Sequence, residues 1–301
     1  MIFSIVIPNY NRKDDVLRAL DSVYNQDHNS FEVIVVDDNS SDDSVISIKR
    51  RYPKTRIITL NKNQGPAVAR NMGIRDAKGD IIICIDSDVM FQDRDGLHKI
   101  DQKFAENTQI ACLAFRILKH YNKEDDIDRW WHPMPLDDYY DKEFYSDYFS
   151  GTGVAFRKEV FEKAGLFSED LFMHNEEPDL ALRILDNDFN ILYYPSVIVY
   201  HNVVKNESRV ERLGIREYYY HRRNQLWMVV RYYPFIKGLI FIIPRLIITF
   251  IIAAKDGKLK SYLKGIFEGF RFIPREFKRR TPLKKKTWIR IKSIKRGMYV
   301  P

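Results

Sequence analysis

Four short clusters put acidic and polar residues where a phosphate, a cation or a reacting hydroxyl could be handled. In Val36-Asp37-Asp38-Asn39-Ser40 two carboxylates directly follow an apolar run, although Asp37 or Asn39 could equally cap the next helix. Ile83-Cys84-Ile85-Asp86-Ser87-Asp88 ends another apolar run with acids at i and i+2, so both can turn toward one divalent cation, or else form a solvated turn. Hard oxygen donors with open positions suit Mg²⁺ or Mn²⁺ bridging a diphosphate. Such a metal stabilises the negative charge that develops on a departing nucleoside diphosphate. In Met173-His174-Asn175-Glu176-Glu177-Pro178-Asp179, proline marks the first turn of a helix. One of Glu176 and Glu177 could take a proton from an acceptor hydroxyl, or both could simply favour the helix dipole. Asp179 and Arg183, four residues apart, read as an ordinary surface pair. Pro8-Asn9-Tyr10-Asn11 closes a first apolar run with a turn and is a weak signal alone.

The elements that must carry these clusters follow from periodicity. Phe3 to Ile7, Phe31 to Val36, Arg56 to Leu60 and Ile81 to Ile85 are short Ile/Val runs, the pattern of parallel strands buried on both faces. Between them, Val16, Leu17, Leu20, Val23 and Tyr24 mark one face of a helix, and Pro66 opens another. Alternating strands and helices predict an α/β fold, an open and mostly parallel sheet with ligands at its C-terminal strand ends. Residues 119–149 interrupt the rhythm as a long aromatic and acidic excursion. Regular structure resumes with a strand over 153–157, helices over 158–164 and 178–185, and one or two strands over 191–200. The domain boundary is placed at 205/206.

The formal net charge of +8 is unevenly placed: residues 255–301 carry +13 and leave −5 for the rest. A mildly acidic body argues against a nucleic-acid partner, and a cationic, aromatic-laced end suggests attachment to an anionic membrane surface. Phe235 to Ala254 is nearly a transmembrane segment, but Lys237, Pro244 and Arg245 interrupt it. A central arginine costs roughly 2.5 to 3.5 kcal/mol on insertion scales, so a helix lying in the interface is expected, with a true or re-entrant span and a buried helix of a larger core as the alternatives. The opening MIFSIVIPNYNR reads as a first strand, not a secretory signal, and two cysteines without metal or disulfide spacing fit a reducing compartment. The expected location is the cytoplasmic face of the cell membrane, peripheral or monotopic. Every donor-site residue is expected before about 205, so the core should bind donor without residues 235–301.

Taken together, SIVIPNYNR, EVIVVDDNSSDDS, NQGPAVARNMGIRDAKGDIIICIDSD, SGTGVAFRKEVFEKAGLF and NEEPDLALR resemble the family 2 glycosyltransferases of GT-A fold over residues 1 to about 201. The resemblance implies a nucleotide-binding set of Pro8, Asn9, Asp37, Asp38, Arg70 and Asp86. It implies a metal set of Asp86, Asp88 and His201 for Mg²⁺ or Mn²⁺. Glu177 takes the position of the catalytic base, although the family commonly has Glu-Asp where this chain has Glu176-Glu177. The activity implied is inverting, metal-dependent transfer from a nucleotide-sugar donor to a hydroxyl of a glycan or lipid-linked acceptor, with Trp130 and Trp131 as a sugar platform or as packing on the sheet. A polyprenyl-phosphate glycosyl synthase would need no base, and a non-catalytic membrane adaptor would not need the acids. A sugar nucleotidyltransferase would show a glycine-rich loop where Pro8-Asn9-Tyr10-Asn11-Arg12 stands.

Overall fold

The computed structural model describes residues 1–203 and 209–300, the side chains of 209–216 excepted, so the expected boundary at 205/206 lies outside the described residues. The alternation holds at the start: β1 (Phe3–Asn9), α1 (Lys13–Tyr24), β2 (Phe31–Asp37), α2 (Ser44–Arg51), β3 (Arg56–Thr59), α3 (Pro66–Asp76) and β4 (Ile81–Ile85). Next come β5 (Val89–Phe91), α4 (Gly96–Glu106) and β6 (Ile110–Lys119). The excursion holds a short α5 (Leu136–Tyr139) and β7 (Phe144–Ser146), and is followed by β8 (Gly153–Arg157), α6 (Glu159–Ala164), α7 (Glu176–Asp186) and β9 (Asn190–His201). The rest is helical: α8 (Arg209–Tyr232), α9 (Phe235–Lys255), α10 (Leu259–Arg271), α11 (Ile273–Lys278) and α12 (Lys285–Ile294).

One sheet runs β3-β2-β1-β4-β8-β6-β9-β5, with β7 added against β9. β1 is parallel to β2 and β4, and β2 to β3. The sheet is mixed beyond that, because β8 runs antiparallel to both β4 and β6. The excursion explains the reversal. It leaves the sheet at the end of β6 and returns at Gly153, which pairs with Ile85 at the same edge, so the returning strand must run back down. β9 is a single twelve-residue strand whose register against β6 shifts between Phe115 and Arg116, opposite the stretch containing Pro195. A proline that cannot donate to the ladder is accommodated at such an irregularity.

Alternate strand residues feed two layers. Val6, Ile34, Val36, Ile82 and Cys84 face one core with α3, α6 and α7. Ile5, Ile7, Val33, Val35, Ile83 and Ile85 face the other with α1 and α4. Both cysteines are buried free thiols. The first layer also takes Met228 and Tyr232 of α8, then Leu283, Ile291 and Ile294 near the C-terminal end. The chain beyond α11 thus returns to the layer that covers the sheet: Thr287 donates to Asp186 at 2.6 Å, and Arg290 to the Leu185 carbonyl at 3.2 Å, both at the end of α7. Cutting at 235 would open that core, contrary to the expectation that the tail is separable.

Asp179 and Arg183 are not a surface pair. Asp179 is 0% exposed, and its carboxylate accepts from Arg183 (2.6 Å), Ser168 (2.6 Å) and the Tyr232 hydroxyl (2.7 Å). The reason is tertiary, since α8 covers this side of α7.

Candidate active site

β1, β2, β4, β6 and β9 point the same way, so their C-terminal ends gather the clusters on one edge of the sheet. At the end of β1, half-buried Pro8 pairs in register with Val36, and Asn9 donates to Asp37 Oδ1 at 3.0 Å. Asp37 Oδ2 accepts the Ser40 backbone N–H at 3.0 Å, so Asp37 fixes the turn. Asp38 accepts the N–H groups of Gln64 and Gly65, both at 2.7 Å. Burial raises the Asp38 pKa against the pull of those two donors. Gly65, which precedes Pro66 at the start of α3, needs its φ of +87°, and a Cβ there would lie 2.7 Å from the Phe172 carbonyl oxygen.

Arg70, buried on α3, is the hub of the site. Its Nη2 donates to Asp86 Oδ1 at 2.7 Å while its Nη1 faces Glu176 Oε1 at 3.5 Å. Two guanidinium nitrogens of Arg70 and Glu176 Oε2 have no hydrogen-bond partner. Asp86 Oδ2 accepts from Thr152 Oγ1 at 3.2 Å, so both oxygens of this expected metal ligand face protein groups. α7 begins at Glu176, two residues before the expected start, which makes the glutamates its first two residues. Glu176 is buried: desolvation and the neighbouring Glu177 push its pKa up to about 8 against the lowering effect of Arg70. Glu177 is only half-buried and accepts the Gly151 N–H at 3.4 Å. A Cβ on Gly151 would lie 2.7 Å from Arg70 and 2.9 Å from Glu177, so glycine is what lets backbone approach both.

The β5–β9 pairing sets Val89 opposite His201, and this register brings Asp88 beside the imidazole. His201 Nε2 lies 3.7 Å from Asp88 Oδ2, and its Nδ1 is 2.7 Å from buried Asp126 Oδ2. Burial opposes protonation of His201, but Asp126 and Asp88 outweigh it and raise the pKa. Arg12 donates to Asp88 at 2.7 Å, and Arg129 lies in the field of Asp86, Asp126 and Asp88. Among the described residues no group of three or more His, Cys, Asp or Glu side chains gathers as a ready metal site. The pair Asp88 and His201 offers an oxygen and an imidazole facing each other, the donor types a divalent cation takes, with a carboxylate on the far ring nitrogen.

Trp130 packs edge-on against His132, Phe144 and Tyr193, with ring centroids 4.9, 6.0 and 5.0 Å away. Trp131 is 60% exposed and lies 6.2 Å from the ring of His221 on α8. Sequence reasoning did not single out Arg12, Asp126, Arg129, Gly151 or Thr152. Arg12, Gly151 and Thr152 lie next to or within the clusters and the SGTG run, whereas Asp126 and Arg129 sit in the excursion with no local signal.

The sequence profile of glycosyl transferase family 2 matches residues 4–165, more than half of the chain. The chain belongs to that family. An uncharacterised glycosyltransferase of Haemophilus influenzae is 38% identical over 112 residues, which is 37% of this chain and 37% of that protein. The succinoglycan biosynthesis protein ExoO of Rhizobium meliloti is 36% identical over 109 residues, 36% of this chain and 31% of its own length. The matched stretches span only 13% to 37% of the curated relatives' lengths. In fold, this family 2 glycosyltransferase is similar to S. aureus TarS 1–349 in complex with UDP-GlcNAc, with a TM-score of 0.62, 17% identity, and coverage of 100% of this chain and 93% of that one. It is also similar to the mannosyltransferase PcManGT of Pyrobaculum calidifontis in complex with GDP-Man and Mn²⁺, with a TM-score of 0.55, 20% identity, and coverage of 92% and 72%. The mixed α/β fold is therefore shared with GT-A glycosyltransferases.

Proposed function

We propose that the protein transfers a sugar, with inversion, from a nucleoside-diphosphate sugar to a hydroxyl of a glycan or lipid-linked saccharide. The reacting groups lie within residues 1–205, α8 and α12 complete the core beneath them, and the exposed faces of α9 to α11 attach the protein to the anionic cytoplasmic face of the cell membrane. The observation that carries the reaction is the position of Arg70, whose guanidinium bonds Asp86 on the donor side and faces Glu176 beside Glu177. Donor and base are thereby set on one rigid support, and positioning of this kind supplies much of the rate.

Glu177 Oε1 rests on the Gly151 N–H, while the half-exposed carboxylate is open to an acceptor. It takes the hydroxyl proton as that oxygen bonds to the anomeric carbon. The bond to the diphosphate breaks on the opposite face, and the leaving group departs with the electron pair. Burial raises the Glu176 pKa, which favours its neutral acid and limits the negative charge beside the departing diphosphate. Asp88 and His201 would hold Mg²⁺ or Mn²⁺, which supplies charge neutralisation for the diphosphate. The neighbours bound to GDP-Man with Mn²⁺ and to UDP-GlcNAc support both the donor class and the metal.

Attachment is supported by α9, which is long and apolar enough to cross a membrane but buries only Gly238, Ile242 and Ala253. Phe267 and Phe270 of α10 and Phe277 of α11 are likewise exposed. Arg245 folds back over Phe241 and donates to its carbonyl at 2.9 Å, and its charge at mid-helix favours an interface over a bilayer centre. The test of the reaction is Glu177→Gln, which keeps volume but accepts no proton. Nucleoside diphosphate release with a sugar acceptor should fall roughly 10² to 10⁴-fold with donor affinity retained. Unchanged turnover would refute Glu177 as the base, and a larger loss in Glu176→Gln would move the base by one residue.

A further inference from the structure

The segment from Asp170 to Asn175 delivers both glutamates to the site, and its backbone is unusual. Phe172, His174 and Asn175 have φ of 63°, 63° and 70°. Non-glycine residues keep such left-handed conformations only where their surroundings impose them. The carbonyls of Leu171, Met173 and His174 all converge on one atom. That atom is Nδ2 of Asn224 on α8, 2.9, 2.9 and 2.7 Å from them, so its two N–H groups are shared among three acceptors.

Asn224 is 0% exposed. Its Oδ1 accepts from Arg223 Nε at 2.9 Å, and Arg223 Nη2 reaches the carbonyls of Asp170 and Leu171, each at 3.1 Å. The same loop touches the donor cradle, because the Phe172 carbonyl is the group a Cβ on Gly65 would strike. Phe172 also stacks on Tyr220 of α8 with ring centroids 5.1 Å apart. The loop is therefore clamped between the donor side and α8, and in the α8 clamp Asn224 holds the carbonyls nearest Glu177, with Arg223 and Tyr220 on the residues before them. A buried carbonyl deprived of its donor is costly, so this backbone has no equally good alternative while α8 stays in place.

We propose that Asn224 is a positioning residue for glycosyl transfer: by holding three loop carbonyls it fixes the backbone that aims Glu177, with Arg223 orienting its amide. α8 lies outside the matched residues 4–165 and yet forms part of the transfer machinery. The inference rests on Glu177 as the base.

Asn224→Asp keeps the shape but replaces the donating amide by a carboxylate, while Asn224→Ser leaves one donor. In the full chain, hydrogen exchange of the amides of residues 173–177 should be faster in Asn224→Ser, with the sheet unaffected, and protection equal to the parent would overturn the proposal. With Mn²⁺ and UDP-GlcNAc or GDP-mannose as donors, Asn224→Asp should lower kcat roughly 10- to 100-fold, the scale of a displaced catalytic group. Affinity for UDP or GDP should stay within about threefold, as expected when positioning and not binding is lost. Combined with Glu177→Gln it should add almost nothing, because the two changes disable one function. Multiplying losses in the double variant, or a rise in Kd with kcat unchanged, would overturn the proposal. Should Glu177→Gln retain turnover, the base assignment fails, and the exchange result still decides whether Asn224 holds the loop.

Discussion

Replacing Glu176 by glutamine should remove a pH-dependent instability built into the site. Glu176 is buried, and its carboxyl is pushed from 4.5 to about 8 by desolvation and by Glu177, with Arg70 pulling the other way. The folded protein therefore keeps the proton while the unfolded chain gives it up above about 4.5. Stability is complete below that value and falls as pH rises toward 8, then levels off. At about 1.4 kcal/mol per pH unit the loss approaches a ceiling of roughly 5 kcal/mol. Glutamine resembles the protonated acid and can turn its carbonyl to Arg70, which faces Glu176 Oε1 at 3.5 Å. Thermal unfolding of parent and Glu176→Gln from pH 5 to 9 should give matching midpoints near pH 5. Above pH 8 the variant should melt higher, by about 1.5 °C for each kcal/mol in a chain of this size. Parallel curves across the whole range would refute the reasoning, because they would mean that Glu176 is ionised in the fold or solvated.

Asp88→Asn should abolish the Mn²⁺-dependent part of UDP or GDP binding while the melting profile without metal stays cooperative, and titration calorimetry with unchanged Mn²⁺ dependence would exclude Asp88 as a ligand. Gly151→Ala should lower turnover about tenfold or more, because its Cβ would fall 2.7 Å from Arg70 and 2.9 Å from Glu177; steady-state rates equal to the parent would show that the loop can yield. Ile240→Glu with Ile247→Glu alters side chains that are 70% and 58% exposed, so the fold should survive. Each apolar side chain inserted in a membrane contributes roughly 1.5 to 3 kcal/mol, so affinity for phosphatidylserine-containing vesicles, read by cosedimentation, should fall by at least about 100-fold. High salt should release only part of the intact protein, since it screens the charges of the tail and not the apolar contact, and complete release by salt would leave attachment purely electrostatic.

Periodicity and composition alone determined the strands β1 to β4, the helices α1 and α3, and the strand-end position of Asp38, Asp86 and Asp88. Each depends on neighbours within a few residues: alternating Ile and Val make a strand with two apolar faces, and polar residues straight after it must fall at the sheet edge. Local pattern also revealed the charged, apolar tail. It could not reveal company. That Asp88 meets His201 depends on the register of β5 against β9, and that His201 is held by Asp126 depends on where the excursion folds back. Arg70 looked like a donor contact in sequence, but its burial between Asp86 and Glu176 makes it a support for both sides of the site. Asp179 and Arg183 show the same limit. Four residues apart on a helix, they can form a pair anywhere, and only α8 arriving with Tyr232 and Arg231 turned that pair into a buried network. Tertiary structure decided these points because helix and strand propensity are set by adjacent residues, whereas burial is set by whichever distant segment covers a face, and here that segment is the C-terminal third of the chain.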